Sequence, residues 1–145
     1  MSVSLQIASQ LRLAKDDVEA ARLLLTAVNR NAVYHLEQAA EKIILAILTS
    51  EGKHGGIAHH LKEMVDLIPD VNPLKQQLRK VEHLAAYATT FRYPTPGGRI
   101  KAPPPQVEVS ADAKKVEDLL SDAAARFKVE LSKPDSPAGS QGPLR

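Results

Sequence analysis

Apolar residues recur at spacings of three and four along most of the chain, and this periodicity constrains the fold more than any other feature. In residues 3–28 the recurring positions are Leu11, Ala14, Val18, Ala21, Leu25 and Val28. Such spacing lines one face of an α-helix with apolar side chains, whereas a half-buried strand would alternate apolar and polar residues. No strand pattern interrupts it, so the sequence predicts an all-α fold.

Four long helices and one short helix are predicted. The long ones cover residues 3–28, 31–50 and 74–91, with a last helix that opens at 110–112, capped by Ser110 or Asp112. Residues 58–68 form the short one. Because residues 43–48 are apolar almost all round, the second helix should be central. We expect an up-and-down four-helix bundle with one extra short helix, in which the helix at 74–91 runs antiparallel to the second.

Proline and glycine mark two segments outside the helices. Residues 94–109 contain five prolines and two glycines, which predicts a long extended loop. Ordered loops of that length often carry function. The Pro-, Ser- and Gly-rich residues 132–145 predict a poorly ordered C-terminal tail, which leaves 1–131 as the helical domain.

Composition excludes several classes of chemistry. The chain has no cysteine, which rules out disulfides, thiolate catalysis and cysteine-bound zinc. Its net charge of +2 is too small to indicate nucleic acid by itself, and aromatic residues make up only 3%, which weakens a base-stacking interpretation. No apolar run is long enough for a signal peptide or a membrane span, so we expect a cytoplasmic protein without membrane contact.

Histidines at positions 54, 59 and 60 are the candidates for a metal site. The adjacent His59 and His60 point to different faces of a helix, and only Glu63 supplies a carboxylate one turn away. Surface or capping histidines explain this spacing better. The sequence therefore predicts neither a bound metal nor a cofactor.

A polar stripe opens the second predicted helix. Its members share roughly 140° of arc at 100° per residue. They are Arg30, Asn31, Tyr34, His35, Gln38, Glu41 and Lys42. The predicted topology brings Arg92 and Tyr93 beside this stripe, so we expect a shared cleft with the Pro-rich loop at its rim. The alternatives are an ordinary solvated face and two helix-end anchors at positions 92 and 93.

Three blocks of sequence resemble the HEPN domain family over roughly residues 5–130. They are NAVYHLEQAAEKIILAIL (31–48) with the Gly-containing turn after it, His60-Leu61, and FRYP (91–94). The resemblance implies a helical homodimer that binds a nucleotide or RNA and acts with a nucleotidyltransferase-type partner, as in toxin–antitoxin pairs. Apolar residues beyond one stripe, at 23–25 and 43–48, fit such a dimer. The ligand-binding candidates are Asn31, Gln38, Glu41, Lys42, Arg92 and Tyr93.

Many HEPN proteins are metal-independent ribonucleases whose signature is Arg, a polar residue, three variable residues and His. RNAVYH (30–35) fits that string, so the resemblance implies Arg30 and His35 as catalytic residues if the chain cleaves RNA. An imidazole can move the proton and a guanidinium can brace the phosphate. In nuclease members the motif lies nearer the C-terminal half, whereas here it opens the second helix. A binding protein without catalysis and a non-catalytic dimerisation module stay open.

Overall fold

The computed structural model describes residues 3–53, 60–133 and 136–139. All regular secondary structure in these ranges is helical, which confirms the predicted all-α class. The helices are α1 (Val3–Thr26), α2 (Ala32–Ser50), α3 (Leu61–Asp66), α4 (Lys75–Arg79), a 3-10 helix (Glu82–Ala86), α5 (Tyr87–Thr90) and α6 (Gln106–Phe127). His54 and His59, considered above as metal ligands, lie outside the described residues.

Helices α1 and α2 form an antiparallel hairpin. The predicted stripe of α1 is buried as far as Leu25, and the helix stops at Thr26. Val28 adopts a left-handed conformation with φ +54°, and the Asn29 N–H donates to the Leu24 carbonyl at 2.8 Å. This is the hydrogen bond that closes a helix in a Schellman motif. The chain therefore reverses within five residues, and α2 packs back along α1.

Helix α2 is central, as predicted. Within residues 43–48 only Leu45 is more than 1% exposed, and α1, α3, the 3-10 helix, α5 and α6 all contact α2. The expectation that part of the 43–48 surface needs a second chain was wrong, because the chain's own helices cover it. On α1, by contrast, Leu23 is 73% exposed.

The predicted helix at 74–91 is wrong as a single element. It is divided into α4, the 3-10 helix and α5. Leu78, Val81 and Leu84 are spaced by three, and each is fully buried. Hydrogen bonds run from the Val81 N–H to Leu78 and from the Leu84 N–H to Val81, both 3.0 Å, which is the 3-10 pattern. The up-and-down arrangement of the bundle stays a prediction.

Helix α6 begins earlier than predicted. Pro105 is its N-cap residue, and the Glu108 N–H donates to the Pro105 carbonyl at 2.9 Å. Proline suits a helix start because it lacks the N–H that would go unbonded there. The loop therefore ends at 105, and Asp112 is a buried residue inside α6 and not a cap.

The segment that follows α6 packs against α1. The Arg12 guanidinium donates to the Glu130 carbonyl at 2.9 Å and to the Ser136 carbonyl at 2.6 Å, and the Ala138 N–H donates to the Ser4 carbonyl. The poorly ordered tail at 132–145 stays a prediction, and residues 134–135 and 140–145 of it lie outside the described residues. None of the described helices is long and apolar enough to cross a bilayer.

Candidate functional site

Arg92 joins the end of α5 to the start of α2. Its guanidinium carbon lies 3.9 Å from the centre of the Tyr34 ring and 5.5 Å from that of Tyr93. A guanidinium over an aromatic face is held by the ring quadrupole. The two segments predicted to meet at this end of the molecule therefore meet through Arg92 and Tyr34, and Tyr93 is 59% exposed beside them.

Asp17 of α1 bridges two members of the polar stripe. One carboxylate oxygen lies 3.0 Å from His35 Nδ1, and the other accepts a 2.6 Å bond from Lys42 Nζ. The Asp17 side chain is only 16% exposed. His35 also meets Tyr34 edge to face, with ring centres 5.3 Å apart. The carboxylate fixes the orientation of the imidazole and leaves Nε2 on the other side of the ring.

The remaining stripe residues point to different neighbours. Arg30 donates from Nη1 to the Lys101 carbonyl at 2.7 Å, which ties α2 to the Pro-rich loop. Gln38 donates at 2.8 Å to the carboxylate of Glu37, which is fully buried. Asn31 is exposed at the start of α2, and its side chain makes no capping bond.

The predicted single cleft is thus distributed over two neighbouring clusters. One contains Arg30, Arg92 and Tyr93 on the loop side of α2. The other contains His35 and Lys42 on the α1 side. Glu41 is half-buried on the same helix.

A groove of about 320 Å³ opens between the end of α5 and the loop, and we call it the threonine groove. It is lined by Thr89, Thr90, Tyr93, Pro94, Thr95, Pro96 and Lys101. The lining residues therefore include an exposed tyrosine, three threonines and a lysine. The Thr90 hydroxyl donates to the Ala86 carbonyl, and Thr95 Oγ1 accepts from the Arg99 N–H. Its loop wall is shaped by a turn in which the Thr95 N–H donates to the Arg99 carbonyl and Gly98 has a φ of +80°.

A second groove of about 210 Å³, which we call the apolar groove, lies on the other side of Arg30. It is lined by Leu25, Val28, Asn29, Arg30, Ala32, Val33, Pro103, Pro104, Gln106 and Val109. Gln106 closes one edge by donating to the Leu25 carbonyl at 2.8 Å. The Arg30–Lys101 hydrogen bond links the two grooves, because each groove is lined by one of its partners.

Charge is segregated toward this end of the molecule. Residues 23–36 and 83–107 contain Arg30, Arg92, Arg99 and Lys101 but no Asp or Glu. The whole chain has 19 basic and 17 acidic residues, so the rest of it is net acidic. The small total charge therefore conceals a local cationic face of the kind that binds anions.

A second aspartate–histidine pair joins α6 to the 3-10 helix, and neither of its residues lines a groove. Asp112 accepts at 3.0 Å from His83 Nε2, and Lys115 Nζ lies 3.8 Å from the same oxygen. Tyr87 meets His83 edge to face at 6.2 Å. Burial raises the pKa of the Tyr87 hydroxyl, and the nearby charges of Asp112 and Glu108 raise it further.

Asp17 and the threonines are the site residues that sequence reasoning missed. Asp17 follows Asp16 in an ordinary acidic stretch and precedes the buried Val18, so its environment is not evident from spacing alone. The hairpin register was the available signal. A turn near residue 29 places position 17 opposite the middle of α2, and hence close to Lys42. The three threonines converge only because α5 ends where the loop turns.

Comparison with known proteins identifies the family. The model of the HEPN domain family matches residues 8–129, which is most of the chain. No curated protein and no solved structure matches the chain. The match includes the polar stripe of α2, the end of α5 and all of α6. On this evidence the chain belongs to the HEPN domain family.

Proposed function

We propose that this protein binds the phosphate-bearing part of a nucleotide or nucleic acid in the threonine groove. The observation that carries the proposal is the set of residues around that groove: the exposed Tyr93, three threonines and Lys101 line one opening of about 320 Å³. A ring can stack on a base, hydroxyls can bond to ribose or phosphate, and an ammonium can neutralise a phosphate. The volume lies at the lower end of the roughly 300–1,000 Å³ typical of ligand clefts.

Arg92 adds a phosphate-binding group near this groove, because its guanidinium carbon lies 5.5 Å from the ring centre of Tyr93, which lines the groove. Its stacking on Tyr34 fixes the plane of the guanidinium, so that less side-chain freedom is lost when it binds an anion. The absence of acidic residues from segments 23–36 and 83–107 lowers the electrostatic cost of bringing a phosphate there. Asn31, Gln38, Glu41 and Lys42 remain ligand-binding candidates at greater distance from the loop.

Calorimetric titration with AMP and with inorganic phosphate tests this proposal. We expect AMP to bind, and Arg92→Ala or Lys101→Ala to weaken it at least about tenfold, since a charge-assisted contact to phosphate contributes roughly 1.5–3 kcal/mol. Arg126→Ala is the matched control, because Arg126 is an exposed arginine near the far end of α6. Tyr93→Ala should weaken AMP but leave inorganic phosphate unaffected. Equal effects of Arg92→Ala and Arg126→Ala would contradict the assignment.

A metal-independent ribonuclease is the second candidate, and the Asp17–His35 contact favours it. A carboxylate that holds Nδ1 of an imidazole orients the ring and leaves Nε2 to exchange a proton with substrate. Arg30 is the cation that the family signature pairs with His35. Its guanidinium already donates to the Lys101 carbonyl, so bracing a phosphate would use its other N–H groups.

RNA cleavage in the presence of EDTA separates the two candidates. For a ribonuclease, His35→Ala abolishes turnover and leaves most of the RNA affinity, whereas His83→Ala has little effect. For a binding protein, neither variant changes AMP affinity as much as Arg92→Ala does.

A nucleotidyltransferase-type partner and a homodimer stay predictions, which co-purification and sedimentation can test. A non-catalytic dimerisation module would bind neither AMP nor RNA.

A further inference from the structure

One hydrogen bond joins a lining residue of the apolar groove to a lining residue of the threonine groove, and both residues at this boundary are cationic. Lys101 lines one groove, Arg30 lines the other, and the two residues are joined by the 2.7 Å bond from Arg30 Nη1 to the Lys101 carbonyl. A ligand that occupied both grooves would have to cross this boundary. An anionic linkage between two ring-bearing units matches the charge of that boundary.

The walls of the apolar groove suit a planar ring. Pro103, Pro104, Val28 and Val33 provide aliphatic surface, and at about 210 Å³ the groove is smaller than clefts that enclose a whole ligand. Nucleic-acid enzymes hold an unstacked base between apolar side chains and read its edge by hydrogen bonds. The apolar groove therefore has room for one ring system and not for a complete nucleotide.

Two amides at the rim could bond to the edge of such a ring. The Asn29 Oδ1 accepts from the Asn31 N–H at 2.8 Å, and Gln106 Nε2 donates to the Leu25 carbonyl at 2.8 Å. The amide nitrogen of Asn29 and the side-chain oxygen of Gln106 are then left as a donor and an acceptor. Base edges present this mixture of groups.

We infer that the ligand of this protein is a dinucleotide unit, with one base in each groove and the bridging phosphate on the Arg30–Lys101 boundary. The inference rests on the proposed nucleotide binding at the threonine groove and adds a second base subsite. Two linked units gain affinity because the second binding event is intramolecular. A dinucleotide therefore binds more tightly than a mononucleotide, although its phosphodiester carries less charge than a terminal phosphate.

Titration of the full chain with AMP and with the dinucleoside monophosphate ApA tests the second subsite. We expect ApA to bind at least about tenfold more tightly than AMP. Electrostatic attraction alone would make AMP the tighter-binding ligand, because AMP carries the larger negative charge. Equal or weaker binding of ApA would overturn the inference while leaving the proposed function intact. If neither AMP nor ApA bound, the proposed function and this inference would both fail.

Variants on α6 locate the subsite. Val109→Phe places a ring in the apolar groove, so it should reduce ApA affinity to the AMP level and change AMP affinity less than twofold. Gln106→Ala removes a rim acceptor and should weaken ApA alone, which keeps the test decisive if Val109→Phe does not fold. Val107→Ala is the matched control, since Val107 is 76% exposed on the same turn and lines neither groove. Undiminished ApA binding in the folded Val109→Phe or Gln106→Ala variant would refute the second subsite.

Discussion

The two aspartate–histidine pairs have nearly the same local chemistry but different surroundings. Asp17–His35 and Asp112–His83 are both 3.0 Å contacts, and a tyrosine ring meets each imidazole edge to face. A lysine approaches each carboxylate, at 2.6 Å from Lys42 and at 3.8 Å from Lys115.

The difference lies in what the tyrosines contact. Tyr34 stacks under Arg92 on the cationic face, whereas Tyr87 packs against Phe91 and lies near the acidic Glu108. A carboxylate-oriented histidine is therefore insufficient to indicate a site. The first pair is the candidate because Tyr34 connects its imidazole to the Arg92 guanidinium.

Removing the carboxylate of the first pair should lower stability more than removing that of the second pair. We expect Asp17→Asn to lower the free energy of unfolding by about 2–3 kcal/mol, because it leaves the Lys42 ammonium, only 23% exposed, without its partner. Asp112→Asn should cost about 1 kcal/mol, since His83 and Lys115 are each nearly half exposed and regain water. Urea denaturation at pH 7 measures both.

The single variants Lys42→Met and Lys115→Met control for this interpretation. If the unpaired ammonium causes the larger loss, Asp17→Asn should be less destabilising in the Lys42→Met background than alone. The corresponding coupling between positions 112 and 115 should be close to zero. Equal losses for Asp17→Asn and Asp112→Asn would remove the energetic distinction between the pairs.

The end of the molecule that carries the first pair also carries backbone strain. Val28 is a β-branched residue with φ +54°, a conformation that costs non-glycine residues roughly 1–2 kcal/mol. Val28→Gly should raise the free energy of unfolding by about 0.5–1 kcal/mol, after allowing for the greater freedom of glycine in the unfolded chain. Leu23→Gly is the control, since Leu23 is equally exposed, 73%, but lies within α1. Leu23→Gly should lower the free energy of unfolding by about 1 kcal/mol. If Leu23→Gly and Val28→Gly both stabilised the protein, the strain argument would be contradicted.

Breaking the ion pair between Arg22 of α1 and Glu117 of α6 should change the free energy of unfolding least. The hydrogen bond from Arg22 is the main cause that lowers the pKa of Glu117 below its ordinary value near 4.5. Because the folded value is the lower one, the stabilisation is complete above pH 4.5 and is lost as the pH falls through the folded pKa. Both side chains are about one-third exposed, so the contribution at pH 7 should be under about 1 kcal/mol.

The variant Glu117→Gln tests the direction of the pKa shift of Glu117. The variant should be slightly less stable than the parent at pH 7, and the difference should shrink as the pH falls below 4.5, as followed by thermal unfolding. Glu19→Gln, which removes an exposed partner of Lys15 within α1, serves as the control. A Glu117→Gln deficit that grows as the pH falls would contradict the assigned pKa direction.

Local periodicity was enough to predict part of this fold. The stripes of α1 and α2 are read correctly because spacings of three and four persist over five turns, and the central position of α2 follows from its apolar 43–48 segment. The spacing of three in 78–84 carried a signal for 3-10 geometry, but it is also compatible with an α-helix. Pro105 was read as loop, although proline is equally suited to the start of α6.

By itself, the sequence determined the helical class, the family and the identity of the stripe residues on α2, because each of these is encoded in residues adjacent along the chain or on one helical face. Tertiary structure alone decided which groups meet. It brought Asp17 to His35 and Lys42, set Arg92 on Tyr34, and joined Arg30 to Lys101 across 71 residues. These contacts depend on hairpin register and on where α5 and α6 begin and end. A shift of one residue rotates a side chain by about 100° around its helix, so periodicity that correctly assigns a face cannot by itself assign a partner.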